Sequence, residues 1–182
     1  MRTRAVSEEV LYPDERIVIV DRDDIDALKR AADETARRRA RLCTHRDSGD
    51  RLHDMLIVHT RDTYIRPHRQ QRGRSESLHV IEGELDVVLL NDDGAIMTVI
   101  VMGELRSGKP FYYRVAESLY HTLLIRSEAA VFHEITNGPF RPGDTEFAPW
   151  APAESDAEAV RAFQADLEQR VARQAAPAAR LT

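Results

Sequence analysis

Leu85-Asp86-Val87-Val88-Leu89-Leu90 and Ile96-Met97-Thr98-Val99-Ile100-Val101-Met102 flank the stretch Asn91-Asp92-Asp93-Gly94. Two apolar, β-branched runs separated by residues that tolerate left-handed backbone read as an antiparallel hairpin. The same texture extends outward. From about Arg51 to Thr136, short runs rich in Val, Ile, Leu and Tyr are broken at Asp62, Gly83, Gly103 and Gly108-Lys109-Pro110. Closely spaced strands of this kind make a sandwich or barrel, so the chain is read as mainly β. Gly83, between Leu78-His79-Val80-Ile81 and the hairpin, is expected to supply the positive φ of a second tight hairpin.

Helices are expected on both sides of this β region. From Asp23 to about Ala40, Ile25, Leu28, Ala32 and Ala36 recur at helical spacing. Asp21, Asp23, Asp24 and Asp26 lie at its start and Arg37, Arg38, Arg39 and Arg41 at its end, matching the helix dipole. Ile17-Val18-Ile19-Val20 reads as a short edge strand, with irregular chain before it. Phe140 to Pro152 carries three prolines and is expected to lie extended over the surface, anchored by Phe147 and Trp150. Ser155 or Asp156 can cap a second helix whose Val160, Phe163, Leu167 and Val171 share a face, before a frayed end at Ala175-Ala176-Pro177. The division is therefore 1–50, an extension with a helix; 51–153, the barrel and its Pro-rich closing segment; and 154–182, a helix and tail.

A chain of 182 residues with 42% apolar content builds one well-buried domain with decoration rather than two. Its formal net charge of −5 gives no general attraction for nucleic acid. No apolar run approaches the ~20 residues that span a bilayer, so no membrane insertion is expected. Cys43 is the single cysteine, which excludes an intramolecular disulfide, and no signal-peptide pattern is present. The cytoplasm is the expected compartment. Cys43 has no base fixed near it by sequence and is read as a packing residue.

Chemistry concentrates around Arg66-Pro67-His68-Arg69-Gln70 and Glu76. On a strand, His68 and Gln70 point the same way, Glu76 opens the next β run, and His121 completes the set from a later strand. Two imidazoles and a carboxylate with open positions suit Fe(II), and also Mn, Ni or Zn, with Gln70 as a fourth ligand. The same groups can instead transfer protons without a metal.

These residues resemble the first cupin motif, in which a His-x-His pair is followed by a Glu and, after six residues, a Gly: His68, Glu76 and Gly83 match, and Gln70 stands in place of the second His. His121, in Leu119-Tyr120-His121-Thr122-Leu123, resembles the His of the second motif, with Ala116-Glu117-Ser118 where a Pro-x-Gly turn is usual. Over roughly residues 35 to 153 the chain is similar to the WbuC family of cupin-fold metalloproteins from bacterial surface-polysaccharide (O-antigen) gene clusters. The marks are Tyr64-Ile65-Arg66-Pro67-His68, Ser75-Glu76-Ser77, Asn91-Asp92-Asp93-Gly94, Asn137-Gly138-Pro139 and Phe147-Ala148-Pro149-Trp150-Ala151-Pro152, with Thr145 where the family is expected to carry Lys. The resemblance implies an antiparallel double-stranded β-helix (jelly roll), one divalent metal ion, a small-molecule ligand such as a sugar or sugar nucleotide, and a homodimer. A metal-dependent protein, a noncatalytic ligand binder and a metal-free sugar isomerase or epimerase all fit it.

Further candidates follow from alternation. Tyr64 and Arg66 share a face with His68 and are the preferred substrate contacts, with barrel packing the alternative for Tyr64. One of His133 and Glu134 faces inward, and His133 is taken as a substrate contact, a satisfied core polar residue being the other reading. Arg66, Arg69, Arg72 and Arg74 can hold a carboxylate or phosphate, or line a solvated loop. His79 should face away from Glu76, and His45, His53 and His59 have no evident partner.

Overall fold

The computed structural model describes residues 1–71, 73–141 and 143–175. Arg72 of the arginine cluster and the Ala176-Pro177 tail lie outside the described residues. Among the described residues, twelve strands form two sheets. Along the chain run β1 (Thr3–Ser7), β2 (Val10–Pro13), α1 (Arg22–Glu34), β3 (Arg39–Cys43), β4 (Leu52–Thr60), β5 (His68–Gln70) and β6 (Glu76–Glu82). They are followed by β7 (Glu84–Leu90), β8 (Ile96–Gly103), β9 (Tyr112–Val115), β10 (Tyr120–Ile125), β11 (Ala129–Asn137), β12 (Thr145–Phe147) and α2 (Ala157–Ala175). One sheet has the order β1-β2-β3-β4-β11-β6-β9 and the other β12-β5-β10-β7-β8. Every pairing is antiparallel except β2 with β3. From β4 onward the chain passes back and forth between the two sheets, except at the β7–β8 hairpin, as in a jelly roll, with a helix near each end of the chain.

The core lies between the sheets, where Met55, Ile57, Leu78, Val80, Leu85, Val87, Leu123, Ile125 and Phe132 are buried together. Each such side chain contributes ~1.5–3 kcal/mol through removal from water. Each helix covers the outer face of one sheet. Leu28 and Ala32 of α1 pack on Leu42, Val58 and Val131, and Leu167 and Val171 of α2 pack on Val88, Leu90, Tyr120 and Leu124. Strands buried on both faces need apolar residues at consecutive positions, which explains the unbroken Val87-Val88-Leu89-Leu90. Among the described residues, no helix is long and apolar enough to cross a membrane.

The expected hairpin joins β7 to β8. Its turn is closed by the Gly94 amide donating to Asn91 O at 3.0 Å, with Gly94 at φ +82°. Trp150 packs over this glycine and its Nε1 donates to Asp92 O at 2.9 Å, so the Asp-Gly turn and the Pro-rich segment form one contact. Gly83 does have positive φ, +84°, but joins no hairpin. β6 and β7 belong to different sheets, and Gly83 turns the corner between them against the Ala129 carbonyl, where a Cβ has no room.

The N-terminal region departs most from expectation. α1 ends at Glu34, not near Ala40, because Thr35 leaves the helix and its hydroxyl bridges Ala32 O (3.1 Å) and Arg39 O (3.0 Å). Arg39 and Arg41 therefore lie on β3, and no basic residue occupies the last turn of α1. The start is as expected: Asp21 and Asp24 form a reciprocal capping box. Ile17–Val20 forms no strand, and Ile17 and Ile19 are exposed. The stretch before it, expected to be irregular, is instead the β1–β2 hairpin, which joins the larger sheet through β3. α2 is capped by Asp156, whose Oδ1 accepts from Ala159 N at 3.1 Å. Val160, Leu167 and Val171 are buried along it as the spacing predicts.

Candidate metal centre and ligand cavity

Alternation about core residues and strand pairing aim three strands into one cavity. On β10, His121 shares the inward face with Leu123 and Ile125; on β6, Glu76 shares it with Leu78 and Val80. β5 pairs with β10 so that His68 lies directly opposite His121, their ring centroids 4.5 Å apart. One ligand atom from each of His68, Glu76 and His121 lies within 4.8 Å of the others. They line a cavity of about 400 Å³ at one end of the barrel.

Both imidazoles are held the same way. His68 Nδ1 donates to Arg66 O at 2.9 Å and His121 Nδ1 to Leu119 O at 3.1 Å, each to the carbonyl two residues back. This fixes the rings and leaves each Nε2 as the group that faces the cluster. His121 Nε2 stands 3.2 Å from Glu76 Oε1, yet it is buried and makes no aligned hydrogen bond. An orphaned nitrogen beside a buried carboxylate, with a second imidazole at hand, is the donor set of a transition-metal site.

Charge in the site is tightly coupled. Burial pushes His68 down to about 4, helped by the positive charge of His121. Burial works against ionisation of Glu76 as well, but His121 and then His68 and Gln70 outweigh it and hold the carboxylate down to about 2. For His121, burial opposes the proton and Glu76 wins, raising the group to about 8. Glu134 is pushed up to about 8 by burial and by Glu76.

The sequence-level candidates fare differently. Gln70 is in the site, but its Nε2 donates to Glu76 Oε2 at 3.3 Å, so it orients the carboxylate in this arrangement. Arg66 lines the cavity. Tyr64 does not share its face, because residues 62–67 form no strand and alternation fails there. Its ring meets Phe163 of α2 and its hydroxyl donates to Pro152 O at 3.0 Å. His133 faces out of the barrel and pairs with Asp54 Oδ1 at 2.6 Å, while Glu134 lines the cavity, in step with Phe132. His79 is exposed, as expected. Arg69 and Arg74 are engaged elsewhere, Arg69 with Glu146 and Asp92 and Arg74 with Asp144. Phe147 is half exposed and stands at the cavity wall beneath Arg66 instead of anchoring the segment. Cys43 is buried in the core.

Two wall residues carry no site role in the sequence reading: His59, and Glu134, which stands there only as the alternative to His133 for the inward position. His59 follows Met55 and Ile57 at steps of two along β4, a signal that was available; it lines the cavity and burial pushes it down to about 3. Glu134 carried the same signal from Ala130 and Phe132. The charged mouth was not legible: Glu9 from the β1–β2 turn and Glu154 ahead of α2 meet Arg37 and Arg39 from β3 and the turn before it.

Comparison with known proteins adds the following. A family model described as a domain of unknown function, DUF6016, matches residues 20–102, a span that contains His68, Gln70 and Glu76 but not His121. No curated protein matches the sequence. Among solved structures, a protein from Shewanella oneidensis is 12% identical with a TM-score of 0.48, over 70% of this chain and 78% of that one. The Schizosaccharomyces pombe Cnp3 cupin domain is 9% identical with a TM-score of 0.42, over 54% of this chain and 60% of that one. An oxalate oxidase in complex with the substrate analogue glycolate is 18% identical with a TM-score of 0.43, over 69% of this chain and 64% of that one. Likeness at this level carries no activity or ligand to this chain.

Proposed function

We propose that the chain is a metal-binding cupin acting on a small polar molecule in the 400 Å³ cavity, with His68, Glu76 and His121 as metal ligands. The observation that carries this reading is the orphaned Nε2 of His121 beside Glu76, its ring locked by a backbone carbonyl just as His68 is. A proton-transfer dyad would align that nitrogen on the carboxylate; a cation uses both groups at once. Fe, Mn, Ni and Zn all suit two imidazoles and a carboxylate. When bound, such an ion supplies Lewis acidity or a more acidic water.

The chain's own residues do the rest. Gln70 restrains Glu76, Arg66 reaches the cavity from the segment before β5, and the walls formed by Ile57, Ile65 and Leu123 keep bulk water from the ligands. By its resemblance to the WbuC family the ligand is a sugar or sugar nucleotide of surface-polysaccharide metabolism, and the protein a cytoplasmic homodimer. A second reading, metal-free isomerisation or epimerisation, is favoured by one observation: Glu76 raises His121 to about 8, which lets it carry a proton at neutral pH.

The test is titration of chelator-treated protein with Fe(II), Mn(II), Ni(II) and Zn(II), followed by thermal unfolding. An ion present at 100 times its Kd adds ~2.7 kcal/mol. Gln70→Leu is expected to weaken binding about 10-fold, the usual effect of losing a group that orients a ligand. No stabilisation by any of the four ions sinks the metal reading.

A further inference from the structure

The arginines around the barrel mouth are not equivalent. Arg39 Nε meets Glu9 at 3.0 Å, Arg37 meets Glu9 at 3.3 Å, and both reach Glu154. Arg69 is gripped by both oxygens of Glu146, at 3.1 and 2.8 Å, and by Asp92. Arg74 has Asp144 and the Pro139 carbonyl. Arg41 and Arg66 differ: among the described residues neither has a carboxylate within 4.0 Å, and both line the cavity that holds His68, Glu76 and His121.

Arg66 is under-bonded for its setting. A guanidinium offers five N–H donors in a fixed fork. Here Nη2 meets only Ala148 O, at 3.3 Å, and Nε is buried with no partner. The ring of Phe147 lies 5.1 Å from the guanidinium carbon, which steadies the face of the group and leaves its edge available. Leaving a buried charged donor unpaired is costly unless a ligand completes it. The field points the same way. The whole chain is net −5, yet the cavity walls carry four arginines, Arg37, Arg39, Arg41 and Arg66, against the four carboxyl groups of Glu9, Glu76, Glu134 and Glu154.

We propose that Arg41 and Arg66 form an oxyanion subsite of the cavity, so that the molecule bound beside His68, Glu76 and His121 carries a carboxylate or phosphate group. Guanidinium forks match both groups geometrically, and the cavity volume confines the ligand to a small molecule. The inference rests on the reading of this cavity as the ligand site. It narrows the ligand to anions and sets neutral sugars aside: a sugar phosphate, a sugar acid or a nucleotide sugar fits, and free glucose does not.

The experiment is calorimetric titration of the full-length protein with inorganic phosphate, malonate and glucose, with metal content measured on the same samples. Phosphate or malonate should bind, glucose should not, and the productive anion tells which oxyanion chemistry is favoured. Arg66→Gln and Arg41→Gln should each weaken the anion about 10-fold or more with metal content unchanged, while Arg69→Gln, on the outer surface, should bind as wild type does. If Arg66→Gln is poorly folded, Arg41→Gln, at an exposed strand position, decides the matter. Anion affinity unchanged in the Arg41 and Arg66 variants overturns the proposal, as does failure of both anions to bind wild type or glucose binding as well as they do. Absence of metal with arginine-dependent anion binding would defeat the metal reading and leave the subsite standing.

Discussion

Two pairs of histidines in this barrel sit at nearly the same separation and end with different chemistry. His68 and His121 have ring centroids 4.5 Å apart and planes tilted by 54°; His45 and His53 are 4.3 Å apart and almost parallel, at 6°. In the second pair three of the four nitrogens bond to the protein's own frame. His45 accepts from Asp54 N at 3.1 Å through Nδ1 and meets the Tyr12 hydroxyl at 3.3 Å through Nε2, and His53 Nε2 donates to Ser48 O at 3.2 Å. In the first pair only Nδ1 of each ring is spent on backbone, and the remaining nitrogens converge on a buried carboxylate. Proximity and burial are shared; what separates a structural pair from a ligand pair is which nitrogens are left over and what faces them.

This contrast can be broken at either pair. His45→Ala removes partners from the Asp54 amide and the Tyr12 hydroxyl, so stability should fall by about 1–3 kcal/mol, read as a lower denaturant midpoint at unchanged slope. Metal content should stay that of wild type; its loss would erase the distinction between the pairs. A smaller effect sharpens the contrast by adding a third kind of histidine, His59, buried on the cavity wall with an unpaired Nδ1. Its folded-state pKa, about 3, lies below the 6.5 of an unfolded histidine, so the unfolded chain takes up the proton first as pH falls. The stabilisation is complete above pH 6.5 and is lost between 6.5 and 3, at up to ~1.4 kcal/mol per pH unit. His68, lowered to about 4, adds in the same direction. His121 and Glu134, both raised to about 8, run the other way but are common to both proteins, so wild type should lose stability relative to His59→Gln as pH falls from 7 through 6 to 5, read as denaturant midpoints. Equal slopes in the two proteins would contradict this account of His59.

What was legible in the sequence follows from which features are local. The β7–β8 hairpin could be read because its signal, apolar runs around Asn91–Gly94, lies within 18 residues. His68, Glu76 and His121 could be proposed because their residue types and spacing resemble a known motif, and Val160, Leu167 and Val171 because helical periodicity survives in α2. Failures came where tertiary pairing overrode local pattern. Arg39-Ala40-Arg41 continued the Ala- and Arg-rich texture of α1, yet β4 recruits it as a strand once Thr35 ends the helix. β1 is exposed along its length and gives no periodic signal. Tyr64 was placed by alternation in a segment that is not a strand. Gly83 was read correctly for its backbone and wrongly for its role, since nothing local says that β6 and β7 belong to opposite sheets. Glu134 and His59 stand in step with Phe132 and Ile57, so alternation along β11 and β4 does carry their signal, although the sequence reading assigns neither of them a site role.

The most direct test of the central claim is elemental analysis of untagged protein purified without chelator, as wild type, His121→Ala and His45→Ala. The account predicts close to one Fe, Mn, Ni or Zn per chain in wild type and His45→Ala, and none in folded His121→Ala. Metal retained in His121→Ala, or no metal in wild type even after reconstitution, would contradict the assignment of His68, Glu76 and His121 as the metal centre.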